Sequence, residues 1–148
     1  MSAVVIRQIG AGERAAWEPL WQGYLDFYKS SQTPAATDIT WKRLLDPKEP
    51  MFALGAYMDG KLLGIVHYLY HRSFWTAGDY CYLQDLFVAE GTRNLGLGRA
   101  LIEAVYAKAK EAGASRVYWN THETNATARA LYEKVAERSG FIQYRKVF

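Results

Sequence analysis

Cysteine is almost missing from this chain of 148 residues. With Cys81 alone, an internal disulfide and any metal site built on several thiolates are excluded. Its place at the start of an apolar stretch reads as a small buried residue rather than a nucleophile. No apolar run approaches the ~20 residues of a bilayer span. The first ten residues carry one arginine and a short apolar patch, without the layout of a secretory signal. The expectation is a soluble, cytoplasmic protein with no membrane partner. Histidine is sparse as well: His67, His71 and His122 form no H-x-x-x-H pair on a helix, so no metal is expected, although His67 and His71 share a face if they lie on a strand. Charge of one sign is also lacking. A net charge of +3 is mild for a nucleic-acid binder and is equally explained by a small polyanionic ligand. Hydrophobic residues at 50% and charged residues at 22% describe a globular chain, and its length suits a single domain, 1–148, burying about two thirds of the unfolded surface.

What the chain does have is a glycine turn between an apolar strand and an amphipathic helix. Arg93, Asn94, Leu95, Gly96, Leu97 and Gly98 follow the strand 80–88, and Arg99 opens the helix 99–112. A helix start offers unpaired N–H groups and the positive end of the macrodipole, and glycines let an anion come close to them. Two phosphate-binding patterns fail on spacing. A dinucleotide fingerprint needs a third glycine where Leu101 stands, and a P-loop needs Gly-Lys-Ser/Thr where the chain has Gly98-Arg99-Ala100.

Alternation at Val4, Ile6 and Ile9 predicts a first strand ending at Gly10. Trp17, Leu20, Trp21, Tyr24, Leu25 and Tyr28 then recur at helical spacing as an apolar stripe, with Tyr24 and Tyr28 at its end as pocket candidates. Residues 29–37 read as a polar loop, with Thr37 or Asp38 capping a second helix that carries Ile39, Trp41, Leu44 and Leu45. Strands 51–57 and 62–70 flank Asp59-Gly60, a strong hairpin signal. The loop 72–79 presents Phe74 and Trp75, suited either to covering substrate or to a homodimer contact. After the helix 99–112, whose buried side is Leu101, Ile102, Val105 and Ala109 and whose stop is Gly113, come a fifth strand at 115–120 and a helix capped by Asn125. That helix is expected to face inward at Ala128, Leu131, Tyr132 and Val135 and to close at Gly140, with a last strand at 141–147. The order is α+β, a mixed, mainly antiparallel sheet with helices on its faces.

The run R-x-x-G-x-G at 93–98 resembles the acyl-CoA-binding turn of the GNAT superfamily of N-acetyltransferases. Tyr82-Leu83-Gln84-Asp85-Leu86-Phe87-Val88 is similar to that family's fourth strand, and NATARALY at 125–132, continuing to Gly140-Phe141, to its second signature. The likeness covers roughly 51–148. More faintly, WQGYLDFYKSS and WKRLLD resemble a group of histone, polyamine and D-amino-acid acetyltransferases. One departure is five residues, 135–139, between Lys134 and Gly140, which implies a helix about one turn longer than usual. The resemblance implies acetyl-CoA as co-substrate, held by 93–99, by backbone N–H groups of Leu86, Phe87 and Val88, and by Asn125, with the sheet splayed beside the fifth strand.

Acetyl transfer to an amine needs a neutral amine, a held carbonyl and a proton for the departing thiolate. An alkylammonium with pKa near 10.4 costs about 4 to 5 kcal/mol to deprotonate at pH 7. Asp85 is the nearest acidic group, as ammonium binder or base. In similar polyamine acetyltransferases the strand reads Tyr-Leu-Glu-Asp, so Gln84 replaces the first acid here. Strict alternation puts Gln84 and Asp85 on opposite faces, and Glu123 is the reserve base. Tyr132 matches the family position that protonates the thiolate. The expected activity is N-acetylation of a small-molecule amine such as a polyamine or amino acid. Acetylation of protein lysines or N-termini, and a non-catalytic acyl-CoA-binding module whose cavity is filled by first-helix aromatics, stand as alternatives.

Overall fold

A computed structural model describes residues 3–148. Five strands lie in chain order across one sheet: β1 (Val5–Gln8), β2 (Met51–Met58), β3 (Lys61–His71), β4 (Tyr80–Val88) and β5 (Arg116–Tyr118). The first four pair antiparallel, while β5 runs parallel to β4. Helices α1 (Arg14–Phe27) and α2 (Pro34–Leu45) join β1 to β2, α3 (Leu97–Glu111) crosses from β4 to β5, and α4 (Ala126–Val135) follows β5. This is the mixed α+β architecture that the sequence predicts.

The two faces of the sheet bury separate cores. Trp17, Leu20, Trp21, Leu25, Trp41 and Leu44 of α1 and α2 cover Ala53, Tyr57, Leu62 and Ile65 on one side. On the other, Leu97, Leu101, Ile102, Val105 and Ala109 of α3 cover Leu54, Ala56, Val66, Tyr68, Cys81 and Leu83. Of the four large apolar residues that α2 carries, Trp41 and Leu44 are buried and Ile39 and Leu45 are exposed.

α2 begins a turn before Thr37. Pro34 occupies the first helical position, where its fixed φ is already helical, and the Thr33 hydroxyl accepts from the Ala36 N–H at 3.2 Å. Thr37 is buried inside the helix and Asp38 pairs with Arg14. α3 likewise starts at Leu97 rather than Arg99.

The larger correction is at the C-terminus. α4 ends at Val135 and does not run to Gly140. The Tyr106 hydroxyl donates to the Val135 carbonyl at 2.8 Å, taking the acceptor that another helical turn would use, and Glu137, Arg138 and Ser139 offer no apolar face to dock. The strand expected at 141–147 does not form, and β5 spans three residues instead of six.

Candidate active site

Pairing between β4 and β5 stops at Tyr82 opposite Tyr118. Beyond that point β4 continues for six residues, through Val88, without a neighbour on its β5 side, so the sheet opens into a wedge. Leu86 and Val88 send their side chains into the α3-side core and Phe87 packs on the α1 side, which leaves their backbone edge as the part facing the wedge. Phe87 needs Gly23 of α1 to be glycine, since a Cβ there would stand 2.8 Å from the ring.

The wedge leads to the glycine turn. Gly96 adopts φ +74 and is the N-cap of α3, whose first turn no side chain caps. By contrast, Thr33 and Asn125 cap α2 and α4 with their side chains. A Cβ added at Gly98 would meet Leu131 at 3.7 Å and Val88 at 4.0 Å, ordinary contact distances without a clash. Leu97 is fully buried and offers the turn only its backbone, whereas Asn94 and Leu95 are exposed. Arg93 braces the turn: its Nε donates to the Val88 carbonyl at 3.2 Å, and its guanidinium lies 5.6 Å from the Phe87 ring. Arg99 pairs with Glu103 along the helix at 2.8 Å.

Asp85 is 9% exposed and sits at the centre of a polar network on the α1 side. His67 Nδ1 lies 2.9 Å from its Oδ2, and Trp17 Nε1 lies 3.0 Å from His67 Nε2. Because an indole N–H only donates, His67 Nε2 must accept, which puts the imidazole proton on Nδ1 and aims it at the carboxylate. The buried tryptophan thereby fixes the tautomer. Asp85 also accepts from the Tyr24 hydroxyl; burial first, then the Asp85 charge, pushes that phenol far above its ordinary range. Tyr28 shifts upward for the same two reasons.

Gln84 does not turn away from Asp85. β3 and β4 slip register between His67 and Tyr68, so His67 faces Asp85 while Tyr68 faces Leu83, and Gln84 is the extra residue of a bulge. Cys81 and Leu83 upstream and Leu86 and Val88 downstream all face α3, a phase change that places Gln84 and Asp85 together on the lining of one cavity of about 140 Å³. Trp21, Gln32, Thr40, Leu44 and His67 complete much of its wall. Gln32 accepts from Trp21 Nε1 and from the Thr37 hydroxyl, each at 2.9 Å, which pins the loop between α1 and α2.

An aromatic row runs from this cavity toward the wedge. Trp21 stacks on Tyr24 at 5.3 Å, Tyr24 meets Tyr28 at 4.9 Å, and Tyr28 meets His122 at 5.5 Å. Tyr132 stands edge-on to Trp119 at 5.4 Å. Burial, and then Tyr28 nearby, push its phenol up to about 12. Asp85, Tyr24, Tyr28 and Tyr132 thus form one electrostatic neighbourhood. Glu123 stands outside it, exposed, engaged only through its carbonyl with Arg129 at 2.6 Å. Asn125 caps α4 through a 3.4 Å contact with the Ala128 N–H. His67, set aside in the sequence as a metal ligand, is the residue that sequence reasoning missed; its four-residue spacing from His71 hid the fact that the two have different partners, His71 bonding the Tyr118 hydroxyl at 2.7 Å. Among the described residues no cluster of three metal-ligating side chains occurs. Cys81 is fully buried, and burial pushes its thiol up to about 12, which removes it as a nucleophile.

A family model described as the Acetyltransferase (GNAT) family matches residues 17–136. The D-amino-acid N-acetyltransferase HPA3 of Saccharomyces cerevisiae is 35% identical over 145 residues, 97% of this chain and 90% of the yeast protein. Among solved structures, the ribosomal-protein-alanine N-acetyltransferase of Brucella melitensis biovar Abortus 2308 superposes with TM-score 0.84 at 27% identity, over 99% of this chain and all of the other. The aminoglycoside acetyltransferase AAC(6')-Iy, solved with a coenzyme-A bisubstrate analogue, has the same fold at TM-score 0.85 and 20% identity, over 99% and 100% of the two chains.

Proposed function

From the premise that the chain belongs to the GNAT acetyltransferase family and is an N-acetyltransferase, we propose that it moves an acetyl group from acetyl-CoA to a primary amine of a small cytoplasmic molecule, by direct attack in a ternary complex. The observation that carries the acceptor class is the cavity of about 140 Å³ beside Asp85, walled by Trp21, Gln32 and, from α2, Thr40 and Leu44. Its size suits a small amine-bearing group. The yeast relative's D-amino acids are of this size.

The residues present fit coenzyme A. The uncapped start of α3, with Gly96 and Gly98, offers backbone N–H groups to a pyrophosphate. The wedge beside β4 offers extended backbone to the pantetheine amides. Thr121, just past β5, has a buried hydroxyl with no partner within the protein, as expected of a group that a ligand amide satisfies. When bound, acetyl-CoA supplies an activated acetyl thioester.

Asp85 receives the acceptor's ammonium group. The hydrogen bond from His67 and the bond from Tyr24 orient the carboxylate, so that it selects an amine and positions it for attack. The proton leaves through Asp85. Leu86 and Val88, whose N–H groups point to the open edge while that of Phe87 points toward β3, hold the thioester carbonyl, where negative charge develops. Tyr132, protonated at every physiological pH because burial raises it to about 12, donates its hydroxyl proton toward the leaving sulfur. Being so weak an acid, it stabilises the thiolate chiefly as a hydrogen-bond donor.

The non-catalytic alternative required α1 aromatics to fill the cavity; the one that reaches it, Trp21, stands in its wall. The Brucella structure keeps a peptide N-terminus as the second reading. Thiol release from acetyl-CoA, measured against D- and L-amino acids, polyamines and basic peptides, separates the two. Turnover with small amines is expected, and turnover with peptides alone would overturn the proposal.

A further inference from the structure

A cavity of about 330 Å³ opens on the α3 side of the sheet, beyond the aliphatic patch that α3 covers and at the end of that helix away from the glycine turn. It is more than twice the size of the cavity beside Asp85 and falls within the ~300 to 1,000 Å³ of small-molecule sites. Its floor is aromatic. Phe52 stacks on Tyr68 at 5.4 Å, and Tyr70 meets both edge-on, at 5.7 Å and 5.9 Å. The end of α3 leaves the room: it contributes Ala112 to the wall, and Gly113 with φ +79 then turns the chain away, so α3 brings no large apolar side chain over the rings.

The rim carries charges that the fold does not use. Glu111 stands at the C-terminal end of α3, where the macrodipole disfavours an anion, and Lys108 lies three residues before it on the same side. Among the described residues neither side chain has an ion pair or a hydrogen bond, with the other or elsewhere. The Glu111 charge reaches the floor instead: burial first, and then Cys81 and Glu111, push the Tyr70 phenol up to about 12. An unpaired acid and an unpaired base one turn apart, above three rings, complement a zwitterion with an aromatic side chain. A plain amine would leave Lys108 facing a like charge, and a plain carboxylate would do the same to Glu111.

This cavity backs onto the acceptor site. Phe52 and Tyr68 line both. Tyr68 also follows His67 at the point where β3 and β4 slip register. A ligand pressed on the Tyr68 ring therefore bears on the backbone that holds His67 against Asp85. We propose that the cavity binds a free α-amino acid with an aromatic side chain as an effector, its ammonium on Glu111 and its carboxylate on Lys108, and that occupation shifts the His67–Asp85 pair through Tyr68. Binding rests on the cavity alone, and only the effector role rests on Asp85 as the partner of the acceptor.

L-Phenylalanine is the probe, titrated calorimetrically into the full chain without acetyl-CoA. The expected dissociation constant is about 1 mM or below. Glu111→Gln and Lys108→Gln, both at exposed positions, should each weaken it about tenfold or more, whereas Asp85→Asn should leave this binding in place. Phenethylamine and 3-phenylpropionate each lack one of the two charges and should bind as weakly as the amino acid binds the variants. The His67 ring signals in the NMR spectrum should move on titration of the wild type and stay still in Glu111→Gln. No heat at ~10 mM phenylalanine, or phenethylamine binding as tightly as the amino acid, would overturn the proposal. Binding lost in Asp85→Asn and kept in Glu111→Gln would overturn it too, by placing the ligand in the acceptor cavity. Saturation with unmoved His67 signals would overturn the effector role. None of these readouts needs turnover, so failure here is distinct from failure of the proposed acetyl transfer.

Discussion

The side of the sheet facing α3 is aliphatic: Leu97, Leu101, Ile102 and Val105 are all fully buried, and the strand residues beneath them are mostly Leu, Val and Ala. The side facing α1 and α2 buries three tryptophans, a histidine and a carboxylate, and one chain of hydrogen bonds runs from Trp17 through His67 and Asp85 to Tyr24. Aliphatic packing gives stability without orientation, because dispersion and burial are indifferent to direction. Buried hydrogen bonds do the reverse: they contribute little net stability and a great deal of geometry. The comparison predicts that substitutions on the α3 side change folding and leave turnover alone, and that those around Asp85 and the cofactor wedge change turnover and leave folding alone.

Leu101→Ala is the strongest test. A fully buried leucine truncated against a packed sheet costs about 2 to 5 kcal/mol, seen as a lower urea midpoint, with kcat per folded molecule unchanged. Lost kcat with intact stability would break the division. Tyr132→Phe tests it from the seam between the two regions. Removing the hydroxyl should lower kcat by about 10²-fold or more with the melting temperature held. In the wild type, kcat should show no alkaline loss below pH 10, because the phenol titrates at about 12. A pH–rate profile falling near 9 would assign that step to another group.

Asp85→Asn should raise the acceptor KM roughly ten- to a hundredfold, the worth of about 1.5 to 3 kcal/mol for a charged hydrogen bond, with the acetyl-CoA KM little changed; equal changes in both would remove Asp85 from the acceptor site. Gly98→Val sharpens the cofactor half. Since a Cβ fits there without a clash, stability should hold while coenzyme A affinity, measured by calorimetry, weakens about tenfold as one or more backbone hydrogen bonds are blocked. The smallest effect belongs outside both faces. Glu13 accepts from Arg7 at 2.7 Å, from the Gly10 N–H at 2.9 Å and from the Tyr57 hydroxyl at 2.8 Å, and its carboxyl is lowered to about 2, chiefly by Arg7. A group lowered on folding contributes stability above its unfolded pKa near 4.5 and loses it as pH falls toward 2. Glu13→Gln should therefore cost about 1 kcal/mol at pH 6, with the gap to wild type narrowing by pH 3 in urea titrations.

The elements that the sequence made legible are those with a clean period. α3 follows a 3.6 period closely because it buries one face against the sheet, whereas the hairpin β2–β3, buried on both faces, was marked by its Asp59-Gly60 turn. Thr33-Pro34 carried its own start signal, but the proline reads first as a loop residue, and the cap was placed a turn late. Residues 136–148 were misjudged because strand formation depends on a neighbour that no local pattern supplies. In the site, Asp85, Tyr24, Tyr28 and Tyr132 were visible as chemistry at expected spacings. His67 was not, since what makes it part of the site is a tryptophan fifty residues away in sequence.

Gln84 gives β4 something like a reading frame. Upstream of it odd-numbered residues meet α3, and downstream even-numbered ones do. Deleting that one residue would close the bulge: the halves would fall into step with Cys81, Leu83, Leu86 and Val88 still on α3 and Asp85 and Phe87 still on α1, and only the Gln84 side chain beside Asp85 would be lost. The bulge is thus the means by which one strand gives two neighbouring side chains to the cavity wall, where regular alternation would give one.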